Sequence, residues 1–236
     1  MSISIIINSS GNVGKSNLSR GLYQFLDESK VIVELETHNS SSSKFNVNVV
    51  KYDASNLKDM FFDLMKHKNS ILDIGASVVD VFLVEIQKTP EILQMITNFI
   101  VPTVADTKQT SDTLKTLTTL KALGIPNDNI YVVFNRVKKN IDNEFAPIIK
   151  AMKKLQIDVN YDLNIKEYEV LETLERMKIL SGELINTDED LRATAIERAE
   201  AEDFEASKKA SDKLFAQMLA KSYHQNLENI FDELDM

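Results

Sequence analysis

Residues 2–17 read SISIIINSSGNVGKSN. The opening SISIII is short, apolar and β-branched, as a strand buried in a parallel sheet should be. Residues 8–14 are small and polar around Gly11 and Gly14, and Lys15-Ser16 then opens KSNLSRGLYQFLDE, with Leu18, Leu22, Phe25 and Leu26 at helical spacing. Strand, glycine-bearing turn, Gly-Lys-Ser and helix form the context of a phosphate-binding loop. In such a loop the exposed N–H groups and the helix N-terminus hold phosphate oxygens. The lysine neutralises the outer phosphates, and the hydroxyl takes a Mg²⁺ coordination position. Gly11, Asn12, Val13, Gly14, Lys15, Ser16 and Asn17 are therefore the candidate phosphate cradle. The first glycine of GxxxxGK[ST] would fall at Ser9, so the strict pattern fails by one residue, with Gly11 left to supply the turn. An ordinary strand–loop–helix junction is the competing reading.

Working outward, strand and helix signals alternate to about residue 160. Strand candidates are VIVELE (31–36), NVNVVKY (46–52), SILDIG (70–75), NFIVPT (98–103) and NIYVVFN (129–135). Helical patterns lie between them at 55–67, 77–96 with a break at Pro90, 108–123 and 142–156. This alternation predicts an α/β fold, a doubly wound and mostly parallel sheet with helices on both faces. From Glu183 onward there is no Gly or Pro, and the composition predicts one or two long helices. Leu214, Phe215, Met218, Leu219, Tyr223, Leu227, Ile230 and Phe231 form a helical stripe there, expected to pack on the domain or on a second copy. The expected organisation is a nucleotide-binding domain over 1–181 and an acidic helical extension over 182–236.

A phosphate loop needs a second element to hold Mg²⁺, usually an aspartate at the end of a neighbouring apolar strand. Asp73, ending SILD, supplies one, although a turn or cap aspartate reads the same way in isolation. The strand VIVELE ends with Glu34 and Glu36, two residues apart and so expected on one face at the ligand crevice. One of them can orient or activate an attacking water, or both can pair with Lys15 or Arg20. The polar loop 37–45 is a candidate γ-phosphate sensor or a solvated connection. Asn135-Arg136 follows another apolar strand. There the amide can read a nucleobase edge and the guanidinium can stack on its face; alternatively Asn135 is a turn residue. Position 138 is Lys where the guanine-reading NKxD motif requires Asp. His38, His67 and His224 show no metal-ligand spacing.

Composition narrows the classes further. The chain has 236 residues and no Cys, which excludes a disulfide scaffold, a thiolate metal site and a cysteine nucleophile. No apolar run approaches the roughly 20 residues that span a bilayer, and no basic region opens the chain, so the expected address is the cytoplasm. Net charge is −9, and residues 183–235 hold 14 acidic against 6 basic side chains. That acidity opposes tight DNA binding by the extension and suits a basic protein partner or a solvated face. Lys138, Lys139, Lys150, Lys153 and Lys154 cluster in sequence and read as a basic patch or as a solvated helix face.

The ordered set SGNVGKS (10–16), ELE (34–36), ILDIGAS (71–77), VPT (101–103) and VFNRV (133–137) resembles the ParA/MinD group of P-loop ATPases, most closely the StbB-type plasmid stability proteins. DTLKTLTTLKALGIP (112–126) is similar as well. The resemblance covers roughly residues 1–180. It implies ATP and Mg²⁺ as cofactors, slow partner-stimulated hydrolysis and nucleotide-controlled homodimerisation. It also implies a role in plasmid stability, partition or conjugation with a DNA-binding partner. By position, Lys15 is similar to the β/γ-phosphate lysine and Ser16 to the Mg²⁺ ligand. Asp73 corresponds to the Walker B acid, Asn135 to the adenine contact and Glu36 to the catalytic switch I aspartate. The signature lysine of the deviant loop would stand at position 10, which is Ser10. Glutamate at 34 and 36 places each carboxylate about one methylene further out than aspartate would, and catalysis is sensitive to about 1 Å.

Overall fold

A computed structural model of the chain describes residues 2–27, 29–37, 45 and 47–236. Seven strands form one sheet: β1 (Ser2–Ile6), β2 (Lys30–Leu35), β3 (Val49–Tyr52), β4 (Asn69–Ile74), β5 (Asn98–Thr103), β6 (Ile130–Val137) and β7 (Asn164–Lys166). Their order is β3-β2-β4-β1-β5-β6-β7, and each pairing is parallel. Parallel neighbours cannot be joined by a tight hairpin. The connections after β1, β3, β4, β5 and β6 accordingly cross over through helices. These are α1 (Lys15–Tyr23), α2 (Leu57–Leu64), α3 (Val79–Gln87) with α4 (Pro90–Leu93), α5 (Thr107–Ala122), and α6 (Ile141–Glu144) with α7 (Ala146–Leu155). The break expected at Pro90 separates α3 from α4, with the proline in the first turn where its missing N–H costs nothing. Of the loop 37–45 read as a γ-phosphate sensor, residues 38–44 lie outside the described residues.

Side-chain alternation assigns each strand residue to a face. Ile3, Ile5, Val33, Leu72, Phe99 and Val101 pack with Met60, Phe82, Leu117 and Ile148 beneath α2, α3, α5 and α7. Ile6, Ile32, Ile71, Ile100 and Val133 point the other way, toward Leu18 and Leu22 of α1. Burial on both faces is why these strands read as continuous apolar runs rather than alternating ones.

The remaining helices are α8 (Val170–Met177), α9 (Ser181–Ile185), α10 (Leu191–Glu200) and α11 (Phe204–Glu233). The expected 181/182 division falls inside α9. The second half of α11 lies on α1 and completes its core: Leu227, Ile230 and Leu234 are fully buried with Leu18 and Leu22. Each such side chain contributes about 1.5–3 kcal/mol. Contact is close at Gly21, where a Cβ would stand 3.0 Å from both Leu227 methyl carbons and Leu227 would have to shift by a few tenths of an ångström. Asn98 Nδ2 fastens the end of the helix to β5 by donating to the Leu234 carbonyl at 3.0 Å and to Ser4 Oγ at 3.2 Å. The expected apolar stripe divides. Tyr223, Leu227 and Ile230 are buried, whereas Phe215 and Met218 lie on another face of the helix and are 62% and 60% exposed.

Candidate functional site

The strand β1 ends in the middle of the sheet, so residues 8–14 emerge at the crevice above its C-terminal end. That is where open α/β sheets bind ligands. The loop's shape is set from below by Asn8, which is fully buried. Its Nδ2 donates to the Pro102 carbonyl (2.9 Å) and to Thr113 Oγ1 (2.8 Å), while its Oδ1 accepts from Ser10 N (2.9 Å). Ser9 N donates to Thr116 Oγ1 at 3.1 Å. Two threonines one turn apart on α5, within DTLKTLTTLK (112–121), thus hold the loop base.

Asn12 and Gly14 both have positive φ, 58° and 91°. The turn hands the chain to α1 with Gly14 as N-cap and no capping side chain. The first N–H groups of α1 are left for an anion. Gly14 has a second reason to be glycine: a Cβ there would sit 2.2 Å from Asn135 Nδ2. Gly14→Ala is expected to destabilise the chain by at least about 1 kcal/mol and to remove nucleotide binding, read by thermal melting and by an ATP titration. Wild-type behaviour in both measurements would refute this account of the loop.

Lys15 is 8% exposed. Its ammonium donates to the carbonyls of Ser10 (2.7 Å) and Asn8 (3.0 Å), arching back over the loop. Burial lowers its pKa, opposed by the carboxylates of Asp73 and Glu36. Asp73 closes β4 beside β1 and is 4% exposed. Burial pushes its pKa up to about 6, in the same direction as the charge of Glu34, while hydrogen bonds from Ser16 and Ser19 and the charge of Lys15 pull it down. Ser19 Oγ lies 3.1 Å from Asp73 Oδ2. Sequence reading missed Ser19; its signal was the spacing of one helical turn from Ser16.

The two glutamates have different surroundings, and the pairing with Arg20 offered as an alternative holds for Glu34. β2 ends at Leu35, and Glu36 N still donates to the Tyr52 carbonyl of β3 at 3.1 Å. Glu34 is 7% exposed and turns to Lys51 (2.8 Å) and Arg20 (3.8 Å). Glu36 lies against Gly75 on the wall of the phosphate cleft.

That cleft has a volume of about 360 Å³ and is lined by Gly11, Asn12, Gly14, Lys15, Ser16, Asn17, Glu36, Asp73 and Arg136, together with Gly75, Ala76 and Glu175. The β1 loop, the ends of β2 and β4, the end of β6 and α8 meet there. Two expected residues have other surroundings. The Val13 side chain is fully buried. Asn135 donates its amide to the Val13 carbonyl at 2.8 Å and accepts from Arg136 N at 2.8 Å, so both ends of its side chain are engaged within the protein. Glu175 had no sequence signal, because α8 went unrecognised.

The donor set fits a phosphate with a hard divalent cation. Mg²⁺ is held by one or two carboxylates plus phosphate oxygens and water rather than by an all-protein cage. Asp73 and the Ser16 hydroxyl suit that role, and no group of three or more His, Cys, Asp or Glu side chains poised to hold a metal occurs among the described residues.

Solved structures share this architecture. The apo form of McdA from Cyanothece aligns over 89% of this chain and 99% of its own, with a TM-score of 0.55 and 17% identity. The MinD cell division protein of Aquifex aeolicus aligns over 93% and 97%, with a TM-score of 0.54 and 11% identity. A candidate plasmid partition protein from Borrelia burgdorferi B31, bound to AMPPNP, aligns over 99% and 97%, with a TM-score of 0.56 and 15% identity. This chain has the ParA/MinD fold. Neither a family description nor a curated protein matches its sequence. Among the described residues no helix is long and apolar enough to cross a membrane.

Proposed function

We propose that this chain is a Mg²⁺-dependent, ATP-binding and hydrolysing switch of the ParA/MinD type, acting in plasmid stability, partition or conjugation. The observation that carries the reading is the meeting of Lys15, Ser16, Asp73 and Glu36 in one cleft above the C-terminal ends of β1, β2 and β4. A nucleotide entering it takes the Lys15 ammonium from the Asn8 and Ser10 carbonyls, exchanging neutral acceptors for charged phosphate oxygens. The N–H groups of residues 11–16 surround the same oxygens. Asp73 and Ser16 would hold the metal, which when bound would neutralise charge on the phosphates. Glu36 is the carboxylate on the cleft wall placed to orient the attacking water and take its proton.

The test is ATP binding and phosphate release by the purified chain with Mg²⁺. Glu36→Gln should bind ATP with wild-type affinity and release phosphate about 10²-fold or more slowly, the range general-base catalysis supplies. An unchanged rate in this variant removes Glu36 from the chemistry. The switch is a nucleotide-controlled homodimer in the cytoplasm that works with a DNA-binding partner protein. Sedimentation with and without ATP tests the dimer.

A second reading is supported by two observations. Ser10 leaves the loop without its second lysine, and Phe204, Phe215 and Met218 are exposed on α11. In that reading the chain holds nucleotide without turning it over and recruits a protein through its helical extension. Tight ATP binding with no phosphate release, alone or with partner, selects it.

A further inference from the structure

The charge balance of the cleft is uneven. Its lining carries the carboxylates Asp73, Glu36 and Glu175 against two cations, Lys15 and Arg136. Lys15 is the buried one. The position at which a second loop lysine would stand is Ser10, 2% exposed, with its N–H held by Asn8. A triphosphate brings several negative charges into this space.

Arg136 is built to answer them. The β6–β7 ladder pairs Asn135 with Ile165 and Val137 with Lys166, and the register shifts between them, leaving Arg136 as the extra residue of a bulge. Bulges re-aim side chains next to functional sites. Arg136 takes φ 55°, a left-handed conformation costly for a long L side chain, and the Asn135 carboxamide oxygen pins its N–H at 2.8 Å. The other end of the same carboxamide is fixed to the Val13 carbonyl. One side chain therefore ties the bulge to the phosphate loop. The Arg136 side chain is exposed on the cleft wall with Gly11 and Asn12, and its guanidinium makes no hydrogen bond or ion pair among the described residues. A free planar fork over a phosphate cradle is suited to bidentate capture of phosphate oxygens.

We propose that Arg136 is the second phosphate-binding cation of this site, supplied in cis from the β6 bulge, and not a base-stacking residue. The proposal rests on the nucleotide-binding reading above. Competing ligands separate the two roles. Inorganic tripolyphosphate has the charges without a base; AMP has the base with one phosphate. Titrations of ATP, tripolyphosphate and AMP are run on the full chain, on Arg136→Ala and Arg136→Lys, and on Arg136→Gly, which relaxes the backbone while removing the charge. Melting temperatures verify that each variant is folded.

The expected result is a loss of about 10- to 100-fold for both ATP and tripolyphosphate in the Ala and Gly variants. AMP should change least, and Lys should restore part of the affinity. Equal tripolyphosphate binding by wild type and Arg136→Ala, with ATP and AMP weakened alike, overturns the proposal in favour of stacking. Failure of the underlying reading looks different: the wild-type chain then binds neither ATP nor tripolyphosphate, and the proposal falls with it.

Discussion

Lys15→Ala is expected to abolish saturable ATP binding, by more than about 100-fold or roughly 3 kcal/mol, and to leave the fold standing. The two effects separate because the lysine is costly to keep. Burial lowers its pKa and its ammonium satisfies only two main-chain carbonyls. Removing it leaves those carbonyls without a donor, at about 1 kcal/mol each, and also relieves the burial of a charge, so the net change in stability is small. Melting with and without nucleotide reads both. ATP at a hundred times its Kd should stabilise the wild-type chain by about 2.7 kcal/mol and the variant not at all. Undiminished ATP affinity in the variant would sink the site assignment.

Asp73→Asn should move the two properties in opposite directions, stabilising the free chain while removing its response to Mg²⁺. The Asp73 pKa is pushed up to about 6 from 3.8, chiefly by burial. Between those values the folded chain holds a proton that the unfolded chain has lost. The wild-type chain is therefore favoured below about pH 4 and loses that advantage as pH rises through 6. At about 1.4 kcal/mol per pH unit the loss approaches 3 kcal/mol at neutral pH. Asn cannot ionise, so denaturant titrations should show the variant more stable than wild type at pH 8 and the gap closing toward pH 4. ATP with Mg²⁺ should stabilise wild type over ATP with EDTA and leave the variant indifferent. A wild-type chain already more stable than the variant at pH 8 without nucleotide would refute the account.

What was legible in the sequence is what depends on neighbours in the chain. Gly14-Lys15-Ser16 is readable because turn, cap and helix start are consecutive, and the apolar runs of β1, β4, β5 and β6 are readable because both their faces are buried. What was missed depends on partners far away in sequence. β7 has three residues and a single buried one, too short to show a period. Glu34 and Glu36 look alike in sequence because what distinguishes them, Lys51 of β3 and Gly75 after β4, is brought up by neighbouring strands. Asn135 looked free to read a base. Its engagement with Val13, 122 residues away, is set by the juxtaposition of β6 and the loop. Asn8 and the α5 threonines were passed over for the same reason.

The docking of α11 on α1 also orders events in time. β1 and α1 are made before α11, yet the side chains that cover Leu18 and Leu22 include Leu227, Ile230 and Leu234. Translation proceeds at about 5–20 residues per second, so the roughly 200 residues between Leu22 and Leu227 take about 10–40 s to synthesise. Through that interval the nascent chain carries its phosphate loop on a helix with one apolar side open to water. The segment that shuts it is made roughly 200 residues after the helix it covers, so α1 stays partly uncovered until α11 has been synthesised.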